Sequence, residues 1–249
     1  MTVPEYPSNP LRLSVRAADA RVELAATALL DQILHRLDLS EVSLPLPIDD
    51  WIEKPLGYRF EIVGDADLGP DVLGLARPST GEILIHERLL EHEPRYRFTC
   101  AHELGHLVLH ATHAAELSDA ELPRDGSTDF IEREADRFAS ALLMPLRTLP
   151  KQIGGAVMAS NLHPACIELL RGEGVEAIWV WRRCILPFLC EAYGVSRSAM
   201  IYRCRELRLP KQRRLVRPSL VPLLAAPEKV LADLRLDRVR VVDGRPVLT

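Results

Sequence analysis

The 249-residue chain carries 31 Lys+Arg against 35 Asp+Glu, 47% hydrophobic residues and a mean hydropathy of +0.01, enough for a substantial globular core. No apolar run approaches the ~20 residues of a membrane span, and the N-terminal MTVPEYPSNPLRLSV lacks the order of a secretory signal. The five cysteines are odd in number and never spaced CxxC, which argues against a cysteine zinc cluster and fits free thiols in a reducing cytoplasm.

The net charge of −4 hides a split. Residues 151–249 hold 17 Lys+Arg against 9 Asp+Glu, leaving 14 against 26 for residues 1–150, so two functional parts are expected. In chain order, Pro4, Pro7 and Pro10 mark the first fifteen residues as a loose arm. Ala17 to Leu37 then reads as an amphipathic helix with Val22, Ala25, Leu29, Ile33 and Leu37 on one stripe. Beyond a loop with Pro45 and Pro47, Asp49 or Asp50 caps a short helix through Trp51 and Ile52 that stops before Gly57. Tyr58 to Val63 alternates apolar and polar residues as a half-buried strand does. Val72–Ala76 and Glu82–Ile85 are two further strands, joined by a turn at Pro78-Ser79-Thr80-Gly81. A small antiparallel sheet is therefore expected ahead of the next helix.

That helix lies in Pro94 to His110, PRYRFTCAHELGHLVLH. His102 and His106 fall four apart, so both imidazoles leave one face a turn apart, the spacing that two ligands of one zinc ion need. Glu103 is placed to act on water held by that metal rather than to bind the metal. Phe98, Ala101, Leu104, Leu107, Val108 and Leu109 make this a buried helix, where ionisable groups are costly unless paired or metal-bound. HExxH alone arises by chance in unrelated chains, so the weight falls on a third ligand.

Ala111 to Thr128 is polar and loop-like. Ser127 to Asp129 can cap the following helix, FIEREADRFASALL, which ends near Met144-Pro145. Its apolar stripe is Ile131, Ala135, Phe138 and Leu142; beside it run Glu132, Asp136, Ala139 and Leu143. A catalytic zinc takes three protein ligands and keeps a fourth position open. The extended form HExxHxxGxxH fails here, since Leu109 to Ala114 contains no Gly and His110 falls one turn beyond His106. The inverted HxxEH order is absent. What remains is a glutamate on the following helix. Glu132 is the choice, with Asp136 one turn on to accept a hydrogen bond from the far nitrogen of a ligating histidine. Glu134 is the rival, but it points about 200° away around the helix and has no acid one turn beyond it.

Residues 146–181 show no clear pattern, and Gly154-Gly155 and Gly172 to Gly174 are expected to break any long helix. From Arg182 to Leu209 an apolar segment ends in Glu191-Ala192-Tyr193, followed by Gly194, Val195 and Ser196 and an Arg-rich helix. That is the layout of a helix-turn-helix with Ser196 as N-cap. Val239 to Val242, Asp243-Gly244 and Pro246 to Leu248 suggest a small hairpin.

RFTCAHELGHLVLH followed by EREADRFASALLMP resembles the ImmA/IrrE family of bacterial zinc peptidases. Its pattern is an HExxH helix introduced by an aromatic residue and Ala, then a Glu-x-x-x-Asn/Asp helix ending Leu-Met-Pro. The resemblance covers roughly Ala17 to Pro145, and AYGVSRSAMIYRCRELRL fits the helix-turn-helix-like segment typical after the peptidase part. Arg147 to Trp181 separates the two parts more widely than that pattern, and the short tail is unlike the larger sensory domain of some members.

The resemblance implies an α+β fold. A zincin-like domain over 1–150, with a small sheet packed on the HExxH helix, would precede a helical, helix-turn-helix-like region at 151–217 and a tail at 218–249. It also implies a cytoplasmic peptidase using zinc, or manganese in its place. His102, His106 and Glu132 would be ligands and Glu103 the catalytic acid/base. Cleavage of a cognate helix-turn-helix repressor would release stress-response or mobile-element genes. An extended substrate is expected along the sheet edge at Val72–Ala76 or Glu82–Ile85. Candidates for a second transition-state donor are His86, His110, His113 and Tyr96, each with a structural role as its alternative.

A different reading makes the protein a DNA- or protein-binding regulator with a structural or sensory zinc. Residues 182–217 hold ten Lys+Arg against Glu191 and Glu206, which could attract phosphates. Base-reading residues on the second helix are few, namely Ser198, Tyr202 and Arg203, so specific DNA binding is not favoured. Nor does a protein that only holds its partner need a carboxylate at Glu103.

Overall fold

A computed structural model describes residues 11–111, 117–118 and 128–249. The first ten residues of the expected arm, His113 and the Ser127 cap lie outside them. By internal contacts the chain divides into two units. One comprises Ala18–Pro145 with Tyr193–Ser196; the other comprises residues 11–17, 146–192 and 197–249. The fold is α+β, and among the described residues no helix is long and apolar enough to cross a membrane.

In the Ala18–Pro145 unit, α1 (Ala20–Arg36) buries Val22, Ala26, Leu29, Leu30, Ile33 and Leu34. The buried stripe is thus wider than the expected one and rotated from it. Ala25 is only half-buried, and Leu37 is exposed at the helix end. Each fully buried Leu or Ile stabilises by about 1.5–3 kcal/mol. Helix α2 (Ile48–Glu53) begins without the expected aspartate cap, because the Asp49 side chain is engaged elsewhere: its Oδ2 accepts from the Tyr96 hydroxyl at 3.1 Å.

The sheet contains β1 (Arg59–Val63), β2 (Gly74–Arg77), β3 (Glu82–His86) and β4 (Leu117–Ser118), in the order β1-β3-β2-β4. It is mixed rather than antiparallel. After β1 the chain crosses through the short α3 (Asp65–Leu68), and β2 and β3 form an antiparallel hairpin. That leaves β1 parallel to β3, from Arg59 opposite Glu82 to Val63 opposite His86. Two expectations therefore change. Glu82–Ile85 is no edge, and the outer side of β2 already pairs with β4 at Leu75 and Ala76. Helices α4 (Glu93–Leu109) and α5 (Thr128–Leu143) complete the unit.

The other unit holds α6 (Leu149–Ala159), a 3-10 segment over Pro164–Arg171, and a helix that continues from α7 (Val175–Trp179) through a π-type stretch into α8 (Leu186–Tyr193). Contrary to expectation, Gly154 and Gly155 do not break α6. Packing overrides their low helix propensity, with Phe188 against Gly155. After the turn at Gly194, which has φ +62°, come α9 (Arg197–Glu206), a short β5–β6 pair (Arg208–Leu209 and Arg213–Arg214) and α10 (Leu220–Ala225). The hairpin of β7 (Val239–Val242) and β8 (Arg245–Leu248) belongs to this same unit, tied in where the His163 N–H donates to the Gly244 carbonyl at 2.7 Å.

Candidate metal centre

Pro94 in the first turn suits a helix start, since its missing N–H would have no partner there, and α4 is buried almost continuously from Tyr96 to Leu107. Gly105 brings α5 close. A methyl group at this position would lie 3.1 Å from Phe138 Cδ1 and 3.4 Å from Ala135 Cα, so the glycine of HELGH sets how near the two helices come. This approach places the first turns of α5 beside His102 and His106.

Three side chains meet there. His102 Nε2 lies 3.0 Å from His106 Nε2 and 3.1 Å from Glu132 Oε2, and Glu132 Oε1 lies 3.4 Å from His106 Nε2. Among the described residues this is the one group of three or more His, Cys, Asp or Glu that could hold a metal ion, with its donor atoms all within 4.8 Å of one another. Glu134 is not in it.

The outer nitrogens decide what the inner ones can do. His102 Nδ1 faces Asp136 Oδ1 at 3.1 Å, and an ionised carboxylate only accepts, so Nδ1 carries the proton. A neutral His102 then turns a bare Nε2 inward. His106 Nδ1 faces His110 Nδ1 at 3.2 Å, and His110 Nε2 faces Glu134 Oε2 at 3.3 Å. The carboxylate again requires N–H on His110 Nε2, which makes His110 Nδ1 an acceptor and His106 Nδ1 a donor. Both inward nitrogens and the Glu132 oxygens are thus lone-pair donors converging on one point, an arrangement that calls for a positive charge. Two imidazoles and one carboxylate suit zinc. The Glu132 carboxyl reports the same preference. Burial alone would raise it, yet when protons on the two Nε2 atoms take the place of a cation, their hydrogen bonds and charge bring it down to about 2.

Glu103 is wholly buried. Its carboxylate lies against the start of β2, where a methyl group at Gly74 would clash with Glu103 Oε1 and sit 2.8 Å from Thr99 Cγ2. Gly74 has no positive φ that would require glycine. It is glycine because Glu103 occupies the space a side chain would need.

Residues 65–155 match the family model described as the IrrE N-terminal-like domain, peptidase family M78. This stretch is similar to an IrrE N-terminal-like domain. That family is one of metallopeptidases, and the matched span contains β2, β3, α4 and α5, hence all three converging residues. A solved structure described as a Mycobacterium tuberculosis transcriptional regulator is similar at 19% identity and a TM-score of 0.45, over 78% of this chain and 49% of that one. The chain spans about half the length of that structure. No curated protein matches the chain.

The remaining sequence candidates are placed as follows. In the IrrE-like domain, His86 is buried on β3, accepting the Arg88 N–H at Nδ1 and donating from Nε2 to Asp65 at 2.7 Å. Tyr96 donates to Asp49; burial, with Cys100 and Asp49 nearby, raises its phenol above the ordinary value and keeps it a donor. His110 stands behind His106, on the side away from the converging atoms, and His113 lies outside the described residues. Each of the three described candidates thus has a partner within the fold. Sequence reading missed two features. One is Gly74, which carries no sequence signal. The other is the string from His106 through His110 to Glu134, signalled by a third histidine one turn after the HExxH pair.

Much of the basic stretch serves internally. Arg182, buried, donates to the carbonyls of Leu223, Leu224 and Ala226 and pairs with Glu228. Arg208 donates to three carbonyls at the end of α9, Arg197 to that of Leu224, and Arg203 is buried. On α9 only Ser198 and Arg205 are exposed, so Arg203 is not placed to read bases.

Proposed function

We propose that the protein is a zinc-dependent peptidase, with manganese an alternative metal, that cuts a helix-turn-helix repressor in the cytoplasm. The observation that carries this reading is the convergence of three lone-pair donors, a Glu132 oxygen from α5 with His102 Nε2 and His106 Nε2 from α4, the helix that also bears the buried Glu103. A bound zinc supplies Lewis acidity, lowering the pKa of water toward ~7 and polarising a peptide carbonyl. Glu103 takes the proton as water attacks that carbonyl and passes it to the leaving amine. Asp136 fixes the His102 ring, and Gly74 leaves the Glu103 carboxylate its place. The match to a peptidase family supports a polypeptide substrate. The repressor class, and release of stress-response or mobile-element genes on cleavage, follow from the family resemblance.

The deciding experiment incubates the full chain and zinc with the helix-turn-helix repressor encoded nearest to it, then weighs the products. Two fragments whose masses sum to the repressor plus one water are expected, and a chelator should prevent them. An intact repressor across all such neighbours would remove the substrate class. The alternative regulator role would instead show as a salt-sensitive shift of duplex DNA by the full chain.

A further inference from the structure

The two histidines of the centre are supported unequally. Behind His102 stands Asp136, whose side chain is 46% exposed, so water could stand in for it. His106 is 0% exposed and no solvent reaches its Nδ1–H. A buried donor that loses its acceptor destabilises the fold. The acceptor present is His110, 1% exposed, at the residue where α4 ends, so its ring folds back under the last turn. Behind it Glu134 accepts from His110 Nε2–H through one oxygen and from the Arg21 guanidinium on α1 through the other.

We propose that His110 is a positioning residue for the metal centre, with Glu134 and Arg21 as its outer supports. This rests on the metal-site reading above. Every link has one direction. His106 Nδ1–H donates to His110 Nδ1, His110 Nε2–H donates to Glu134, and Arg21 closes the string with a positive charge. The string fixes both the ring plane of His106 and the tautomer that presents a bare Nε2 inward. It also explains why Glu134 is buried although it is no member of the converging group, and it ties the centre to α1, which precedes the matched span.

Because Arg21 itself is largely exposed, its removal should matter least. The inner link should matter most, since outer partners of a metal-bound histidine are typically worth about 10–100-fold in metal affinity. Asn is the conservative replacement for His110, because its carbonyl oxygen can take the proton that Nδ1 takes. Leu matches much of the volume but accepts nothing.

The test measures zinc affinity of the full chain by chelator competition, together with the melting temperature of the metal-free protein and the visible spectrum of its cobalt form. His110→Leu is expected to lower zinc affinity about 10–100-fold and to shift the cobalt bands, with a lower metal-free melting temperature from the unmet His106 Nδ1–H. His110→Asn should recover most of the affinity. Glu134→Gln, which keeps the shape, covers the case in which His110→Leu fails to fold, and it should weaken zinc several-fold. Combined with His110→Leu, it should add little. His110→Leu and Glu134→Gln that both bind zinc as wild type, while His106→Ala does not, would overturn the positioning role and leave the metal centre standing. A wild-type chain that takes up no zinc would overturn both.

Discussion

Two sets of buried polar groups in this chain look alike in composition and differ in what they lack. In the IrrE-like domain, His102, His106 and Glu132 turn lone pairs toward one another, and their outer atoms are already bonded to Asp136 and His110. In the other unit, Arg182 and Arg208 each donate to three backbone carbonyls. Donors there meet acceptors, with Arg182 Nε left over, and such pairs stabilise the fold they sit in. Acceptors facing acceptors are incomplete without a cation. The contrast separates a site from a scaffold more sharply than burial or charge does, and substitution should break the two sets in different ways.

The largest effect is expected at Glu103. Glu103→Gln should retain one zinc per chain and lose about 10²–10⁴-fold in cleavage rate, the range of a general acid/base. Equal rates for the two proteins would show that the proton goes elsewhere. Gly74→Ala comes next. Its methyl group must displace the Glu103 carboxylate or Thr99, and misplacing a catalytic group by about 1 Å costs about 10²-fold. Metal content should again be unchanged, so a Gly74→Ala protein that cleaves normally would detach Glu103 from the mechanism.

The scaffold should fail differently. Arg182→Met takes the Arg182 donor from the carbonyls of Leu223 and Ala226, while Leu224 keeps Arg197 and the half-exposed Glu228 keeps Arg183, and a buried acceptor left unmet costs about 1–3 kcal/mol. Urea unfolding should record that loss while zinc stoichiometry stays at one. A loss of zinc with no loss of stability would reverse the distinction between the two sets.

These differences also explain what the sequence could reveal. His102, His106 and Glu132 were legible because helical spacing is local and a metal demands particular donors; the structure brings those three together and sets Glu134 behind His110. The mixed sheet was not legible, because the parallel pairing of β1 with β3 depends on where a short crossover lands rather than on residues within either strand. Gly154 and Gly155 read as helix breakers because propensity is local, whereas the Phe188 ring that packs on Gly155 comes from 33 positions further on. The Arg-rich stretch read as a surface for partners because a sequence does not tell an exposed guanidinium from one bonded to carbonyls. Gly74 gave no sign at all, since a missing side chain is explained only by its neighbour.

The smallest effect is on acid stability, and its sign is set by Glu132. Its carboxyl lies near 2 in the folded chain, below the ordinary glutamate value of about 4.3. A depressed folded pKa means that the unfolded chain binds the proton more readily, so stability from this group is fully present above about pH 4.3 and is lost as pH falls toward 2. The metal-free melting temperature should therefore decline through that window more steeply in wild type than in Glu132→Gln, which has no proton to take up. Equal slopes would mean that the two imidazoles do not hold this carboxylate ionised, and the attraction of the centre for positive charge would then lack its electrostatic support. Zinc should steepen the wild-type decline, because a metal bound to Glu132 keeps the proton off the folded chain and its displacement by acid removes the stabilisation that binding adds.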